Sequence, residues 1–231
     1  MKRTFQCAFA AAALLASSSA WAQDFGKKGQ LAISAERLFG FTYDSSSVSA
    51  PTGDADSSTT GFSLLSSAPS ASGSNAAWFG YGAPRVAGDY FVIDHLSLGA
   101  ALGYAHVSVT NQPVGLGGNE TTDSGHTITF APRAGYAIAF TNLIGFWPRA
   151  GFTYVSDTAG PRSAHNLALT LEAPFTFNVV PHVVFWAAPT LDIGFTGSAS
   201  RDGGNGTTLS NDFHATEFGI QTALVAYFDV L

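Results

Sequence analysis

The sequence predicts an all-β fold, a transmembrane antiparallel up-and-down β-barrel of eight strands that follows a cleaved signal peptide. Three observations predict this fold. One stretch is a long hairpin with alternating apolar residues, the composition is apolar without a helical membrane span, and long and short connections alternate along the chain. Together they are typical of a chain that crosses a membrane with strands and turns apolar side chains outward to lipid.

The hairpin lies between Ala164 and Ser198, and its two arms meet at Val180-Pro181. Because a strand sends alternate side chains to opposite faces, each arm has one apolar face and one polar or small face. Each arm spans roughly fifteen residues, whereas soluble strands usually have five or six and a membrane strand needs about nine to eleven. The alternating apolar positions are Leu167, Leu169, Leu171, Ala173, Phe175, Phe177 and Val179, then Val183, Phe185, Ala187, Pro189, Leu191, Ile193 and Phe195.

The composition supports a membrane barrel over a soluble domain. Charged residues make up 11% of the 231 residues, against about 25% in ordinary soluble domains. The mean hydropathy is positive, yet no run beyond the N-terminus reaches the roughly eighteen apolar residues of a membrane helix. A soluble β-sandwich is the alternative, but its strands are shorter. The 16 acidic against 10 basic residues argue against a nucleic-acid partner.

The N-terminus has the features of a secretory signal peptide. Lys2 and Arg3 form its basic region, residues 5–16 its apolar region, and Ala20-Trp21-Ala22 a small-x-small cleavage site. We expect residues 1–22 to be removed and residues 23–231 to form one barrel domain. The only cysteine, Cys7, lies in the removed segment.

The strands and connections follow in a regular order. The eight predicted strands are 30–43, 80–93, 96–110, 125–140, 144–156, the two arms of the hairpin and 213–231. Longer connections at 44–79, 111–124, 157–162 and 200–212 alternate with tight turns at 93–95, 141–143 and 180–181. Since membrane barrels place longer loops outside and short turns in the periplasm, residues 44–79 are predicted to be a long extracellular loop, within which residues 61–65 fit a small hairpin or helix.

One residue of the first strand conflicts with this pattern. Arg37 falls on the outward apolar face, where an arginine at mid-membrane costs about 2–4 kcal/mol. A β-bulge near Glu36-Arg37 would turn the side chain inward, and the sequence therefore predicts one there.

From residue 30 to residue 231 the pattern resembles the small eight-stranded, porin-like outer-membrane β-barrel proteins of Gram-negative bacteria. Members usually end in Phe or Trp as an assembly signal, whereas Leu231 stands at that position here. The resemblance implies export through the periplasm, integral location in the cell outer membrane, and contact with outer-membrane lipid, lipopolysaccharide and the barrel assembly machinery. It also implies a structural, interaction or small porin-like role without cofactor or chemistry of its own.

The inward polar residues are the candidate site. An eight-stranded barrel is only wide enough for its own side chains, and charges buried there must pair or be hydrated. We expect either a packed plug or, as the alternative, a narrow channel for small solutes. The predicted lumen network is Glu36, Arg85, Asp89, Arg133, Arg149, Glu172, Asp192, Glu217 and Gln221.

Two chemical alternatives concern the histidines. None of the six shows metal-ligand spacing, so no metal site is predicted. His106 and Ser108 lie on one outward face with Glu120 in the next loop, an arrangement suited to nucleophilic catalysis. It looks like the His-x-Ser arrangement of outer-membrane lipid A deacylases, although Val109 stands where that family carries an Asn. A lipid A deacylase is therefore the remaining functional alternative.

Overall fold

A computed structural model describes residues 25–50, 53–64, 81, 83–111, 121–160, 162–202 and 208–230. The predicted signal peptide lies outside these residues. The strands are β1 (Gln30–Ala50), β2 (Gly53–Leu64), β3 (Arg85–Ile93), β4 (Leu96–Asn111), β5 (Thr121–Tyr136), β6 (Ile138–Ala139), β7 (Ile144–Phe146), β8 (Arg149–Ala159), β9 (Arg162–Glu172), β10 (Phe175–Val180), β11 (Val183–Asp202) and β12 (Thr208–Asp229). Over the described ranges, no helix is long and apolar enough to cross a membrane.

Eight of these strands close into a ring. The order is β1, β3, β4, β5, β8, β9, β11 and β12, and β12 returns to pair with β1. Every neighbouring pair in the ring is antiparallel. The predicted eight-stranded antiparallel barrel is confirmed. We call the end that carries the short connections at residues 94–95, 140–143 and 181–182 the turn end, and the opposite end the loop end.

Three of the remaining strands extend the barrel wall at the turn end. β6, β7 and β10 continue β5, β8 and β9 after short breaks, two of which contain Pro148 and Pro174. Proline has no N–H to donate to the ladder, so a strand is interrupted there. The proline carbonyls still accept hydrogen bonds, from Tyr136 N at 3.0 Å and from Trp147 N at 2.8 Å. The wall therefore stays hydrogen-bonded across the breaks.

The first strand ends later than predicted, and residues 44–50 and 53–64 of the predicted loop segment pair as a hairpin. β1 continues to Ala50, and β2 pairs with it from Ala50–Gly53 down to Phe39–Leu64. A Ser- and Thr-rich composition suggests a loop, but it also tolerates a strand when a hairpin partner and β12 supply backbone hydrogen bonds. Residues 65–80 lie outside the described part, and the extracellular position of this segment stays a prediction.

The predicted bulge in the first strand is present. The register of β1 against β12 shifts between Glu36 and Gly40, and Arg37 has a φ of 57°. The Arg37 side chain is 1% exposed. The bulge thus moves a charged side chain from the outer surface into the lumen.

The two faces of the wall differ as the alternation predicts. On β12, Phe213, Ala215 and Glu217 are buried, whereas Phe218 and Ile220 are more than half exposed. The outer surface is covered by large apolar side chains, including Ile33, Phe41, Tyr43, Val86, Leu98, Leu102, Tyr104, Ile128, Phe130, Phe152, Tyr154, Phe175, Phe195, Leu224 and Phe228. A belt of this size is suited to lipid rather than to water.

Candidate functional site

The lumen at the turn end is closed by aromatic rings. Phe25, in the segment before β1, packs edge-on against Phe91, Trp147 and Tyr227 with ring centroids 5.3, 5.1 and 5.4 Å away. Phe91, Trp147 and Tyr227 belong to a buried cluster that also contains Trp186. Edge-to-face packing at these distances is favourable for aromatic pairs. We call this group the aromatic layer.

A network of charged side chains, which we call the ionic layer, follows in the middle of the barrel. Its members are Glu36, Arg37, Arg85, Asp89, Arg133, Arg149, Glu172, Asp192 and Glu217, all of them buried. Arg149 connects it to the aromatic layer, because its Cζ lies 4.7 Å from the Trp147 ring and 4.8 Å from the Trp186 ring. A guanidinium between two indoles gains cation–π stabilisation in a site from which water is excluded.

Glu36 is the hub of the ionic layer. Its two carboxylate oxygens contact three guanidinium groups: Arg85 Nε at 2.9 Å, Arg133 Nη1 and Nη2 at 2.7 Å, and Arg149 Nη1 at 2.8 Å. Ser34 Oγ donates a further hydrogen bond to Oε1 at 2.9 Å. Charge-assisted hydrogen bonds of this kind are about twice as strong as neutral ones, so Glu36 holds three strands of the wall to β1.

A second carboxylate repeats this bridging role on the opposite wall. Glu172, at the end of β9, forms an ion pair with Arg149, whose Nη2 lies 2.8 Å from Oε2, and accepts a hydrogen bond from Arg85 Nη2 through Oε1. Arg133 is also held by Asp89, with Nε 3.0 Å from Oδ1 and Nη2 2.5 Å from Oδ2. The fork geometry of guanidinium suits such two-point contacts. Strands on opposite sides of the lumen are therefore joined through it.

Arg37 forms the loop-side part of the ionic layer. Its Nη2 lies 2.9 Å from Asp192 Oδ2 and its Nη1 lies 3.5 Å from Glu217 Oε1. Thr170 Oγ1 donates to the other Asp192 oxygen at 2.5 Å. The layer as a whole has four guanidinium groups and five carboxylates, so it carries one formal negative charge in excess.

Small residues make room for these long side chains. A Cβ at Gly135 on β5 would lie 2.6 Å from Trp147 Nε1 and 2.8 Å from Ser97 Oγ. A Cβ at Gly99 on β4 would collide with the backbone and carboxylate of Asp89. Gly99 on β4 thus makes room for Asp89 of the neighbouring β3, and Gly135 on β5 makes room for Trp147.

At the loop end the lumen is filled again by apolar side chains, which we call the loop-end layer. Tyr81, just before β3, lies in one buried cluster with Val155, Ala168, Phe213 and Ala215. These residues come from four different segments of the chain. The described side chains therefore occupy the lumen at three successive levels.

The structure brings together eight of the nine residues predicted for the lumen. Those eight take part in the ionic layer, whereas Gln221 is buried beside it without an ion pair. Arg37 was not predicted as a member of the network, although the bulge argument already required it to turn inward. Phe25 was missed because it lies outside the predicted strands, where alternation gives no signal. Tyr81 lies on the inward face of the predicted strand 80–93, but only polar inward residues were selected as the candidate site.

The residues of the enzyme alternative are placed only in part. His106 and Ser108 both belong to β4, and Glu120 lies outside the described residues. His106 is exposed on the outer face, directly opposite His126 of β5. This pairing was not predicted, because the two histidines are far apart in sequence.

Comparison with known proteins concerns the fold. Neither a protein-family model nor a curated protein matches the sequence. Among solved structures, OprG from Pseudomonas aeruginosa is 12% identical, with 88% of this chain and 98% of that chain covered and a TM-score of 0.50. AlkL in DMPC lipid bilayers is 10% identical, with coverages of 88% and 92% and a TM-score of 0.49. The Escherichia coli outer membrane protease OmpT is 10% identical, with coverages of 86% and 96% and a TM-score of 0.43.

At such low identity these likenesses bear on architecture and on nothing more specific. The closed ring, the apolar outer surface and the match to OprG agree with one another. The chain therefore has the transmembrane β-barrel fold of an outer-membrane protein.

Proposed function

We propose that the protein is an integral outer-membrane barrel with a structural or interaction role, in which a plugged barrel carries the hairpins of the loop end. The observation that supports this proposal is the filled lumen, with its aromatic, ionic and loop-end layers in series. An eight-stranded barrel has space for its own side chains and little more. A barrel plugged in this way offers its surface and its hairpins for function rather than a pore.

The ionic layer is the strongest barrier to a passing solute. A hydrated ion would have to separate pairs such as Glu36–Arg133 and Asp192–Arg37, whose contacts are 2.7 and 2.9 Å long. Removing the partner of a buried charge costs about 3–5 kcal/mol. Passage would have to disturb several such pairs at once, which favours a closed lumen.

Location and partners follow from the apolar belt. In the proposed arrangement this belt contacts outer-membrane lipid, and the loop end, including the β1–β2 hairpin, faces lipopolysaccharide and the cell exterior. Residues 1–22 would direct export through the periplasm, and the barrel assembly machinery would insert the chain. Protease digestion of intact cells tests the orientation: cleavage within the 44–79 segment is expected, and protection of that segment would contradict it.

Solute uptake by proteoliposomes tests the plugged lumen. Vesicles containing the refolded mature protein are placed in isotonic arabinose or glycine, and swelling is followed by light scattering. We expect swelling no faster than in protein-free vesicles, while a general porin under the same conditions swells them rapidly. Swelling that scales with the amount of protein would contradict the structural role.

A narrow channel is the second candidate, and one observation favours it. The ionic layer has more carboxylates than guanidinium groups, and such an excess attracts cations. A channel of this kind would admit small cations before neutral sugars. Swelling in potassium thiocyanate, whose anion crosses the lipid by itself and balances the charge of the entering K⁺, but not in arabinose would support it.

Lipid A deacylation is the third candidate, and it is supported only by the spacing of His106 and Ser108 in the sequence. It requires Ser108 as the nucleophile and His106 as the base. We expect overexpression of the protein to leave the mass of lipid A unchanged. Loss of an acyl chain from lipid A that disappears with Ser108→Ala would replace the structural proposal with an enzymatic one.

A further inference from the structure

We propose that His106 and His126 form a two-histidine binding site for a borderline divalent transition-metal ion, such as Zn²⁺ or Cu²⁺, on the outer surface of the loop end. The two residues are direct partners in the β4–β5 ladder. That ladder runs from Leu96–Tyr136 to Asn111–Thr121 without a shift in register. The pairing is therefore set by the wall of the barrel and does not depend on a loop.

Both imidazoles lie on the same face of the wall. His106 and His126 are exposed, as are Tyr104 and Ile128 two positions before and after them. Side chains directly opposite each other on one face have Cβ atoms about 4.5–5.5 Å apart. Since a histidine nitrogen binds Zn²⁺ at about 2.0–2.1 Å, two imidazoles from such positions can reach the same ion.

The chemistry of the pair selects the class of metal. Neutral imidazole suits zinc, copper and nickel, whereas calcium and magnesium prefer oxygen ligands. Asp157 of β8 pairs with Thr127, the neighbour of His126, and its Oδ1 accepts a hydrogen bond from Thr127 Oγ1 at 2.6 Å. Both residues alternate with outward-facing neighbours along their strands and therefore lie on the opposite face of the wall from the two imidazoles, so the two histidines are the only protein ligands proposed for the ion.

The proposed site is an open chelate rather than a closed structural centre. In the described ranges of the chain, no group of three or more His, Cys, Asp and Glu residues is arranged to hold a metal. Two protein ligands leave further coordination positions to water or to an external ligand. Linear spacing gives no signal for such a pair, because register rather than sequence distance brings the two histidines together.

The barrel itself provides matched controls. His165 and His214 are also exposed near the loop end, but their cross-strand partners are serines: Ser156 and Ser198 for His165, and Ser47 for His214. A single imidazole at each of these positions lacks the second ligand. Substitution of either should leave the binding of the ion to the pair unchanged.

Titration of the refolded, metal-free full barrel with Cu²⁺ alone or Zn²⁺ alone, followed by calorimetry, tests the proposal. We expect one ion per chain, and His106→Ala and His126→Ala should each weaken binding at least about tenfold, since even outer-shell substitutions cost that much. His165→Ala and His214→Ala should bind as the unsubstituted protein does. The Cu²⁺ paramagnetic resonance spectrum should show two nitrogen ligands, reduced to one in either pair variant.

Several results would overturn the site. One is metal binding that is unchanged in both His106→Ala and His126→Ala. Another is a loss of metal affinity in His165→Ala as large as in the pair variants. The third is a copper spectrum with one nitrogen ligand, which indicates adventitious binding to single histidines. Unheated gel migration of each variant establishes that the barrel has folded before titration. The proposal is independent of whether the lumen conducts, because neither imidazole lies in the lumen.

Discussion

Glu36 shows how much of the barrel depends on one side chain. It is fully buried and contacts three guanidinium groups from β3, β5 and β8. No single one of these charges would be tolerated in the lumen alone, because an unpaired buried charge is costly. The charges of the ionic layer therefore stabilise the barrel only together, and the loss of Glu36 should leave all three arginines without a shared counter-charge.

We expect Glu36→Gln to destabilise the folded barrel by about 3–5 kcal/mol, because three buried arginines lose a common counter-charge. Urea unfolding of the protein in lipid vesicles, followed by tryptophan fluorescence, measures the change. Asp212→Asn is the matched control, since Asp212 is exposed and its change should stay within about 0.5 kcal/mol. Equal stability of the two variants would mean that the ionic layer does not hold the wall together.

Two glycines test the fit between small and large residues. A Cβ at Gly135 would meet Trp147, Ser97 and Arg149 at 2.6–2.9 Å, whereas a Cβ at Gly88 meets nothing within 4 Å. We expect Gly135→Ala to destabilise the barrel by about 1–3 kcal/mol, the usual cost of overpacking, and Gly88→Ala to have an effect within about 0.5 kcal/mol. The same unfolding assay measures both. An unchanged free energy of unfolding in Gly135→Ala would show that the aromatic layer is loosely packed.

At the scale of the elements, alternation and connection length were sufficient to predict the ring. The predicted arms of the Ala164–Ser198 hairpin correspond to β9, β10 and β11. Apolar residues at every second position define one face of a strand, and only that face can be turned to lipid. The same alternation placed Glu172 and Asp192 in the lumen, and the cost of Arg37 in lipid pointed to the bulge. These inferences hold because each rests on a local rule.

Other features depend on partners that a single strand does not reveal. The extent of β2 was not predicted, beyond a small hairpin or helix at residues 61–65, because its Ser- and Thr-rich sequence becomes a strand only through pairing with β1. The breaks at Pro148 and Pro174, the packing of Phe25 and Tyr81, and the His106–His126 pair also depend on tertiary placement. Cross-strand register is a long-range quantity, and one sequence contains little direct information about it.

Hydrogen exchange tests the corrected assignment of β2. We expect the amides of Gly53–Leu64 that bond to β1 to exchange more slowly than those of an unstructured peptide, because a paired strand must open before it exchanges. Mass spectrometry of peptic fragments after labelling in detergent measures the rates, with β12 as the protected reference. Full exchange of 53–64 at the earliest time point would contradict the pairing of β2 with β1.

At the scale of the whole molecule, the aromatic, ionic and loop-end layers fill the barrel lumen with side chains at three levels. Each layer places side chains in the lumen through a different interaction: ring packing around Phe25, ion pairs around Glu36, and apolar contacts around Tyr81. Such a barrel gains stability from its interior and leaves its outer surface and hairpins for function. The apolar belt on the outer surface is the part of the barrel that contacts lipid.

Single-channel recording in a planar lipid bilayer tests the central claim, the closed lumen, most directly. The refolded mature protein should insert and give no unitary current steps in 1 M KCl, because a hydrated ion would have to separate the buried ion pairs of the ionic layer. Reproducible steps whose size changes in Arg133→Ala or Glu172→Ala would contradict the closed lumen and show a channel lined by the ionic layer.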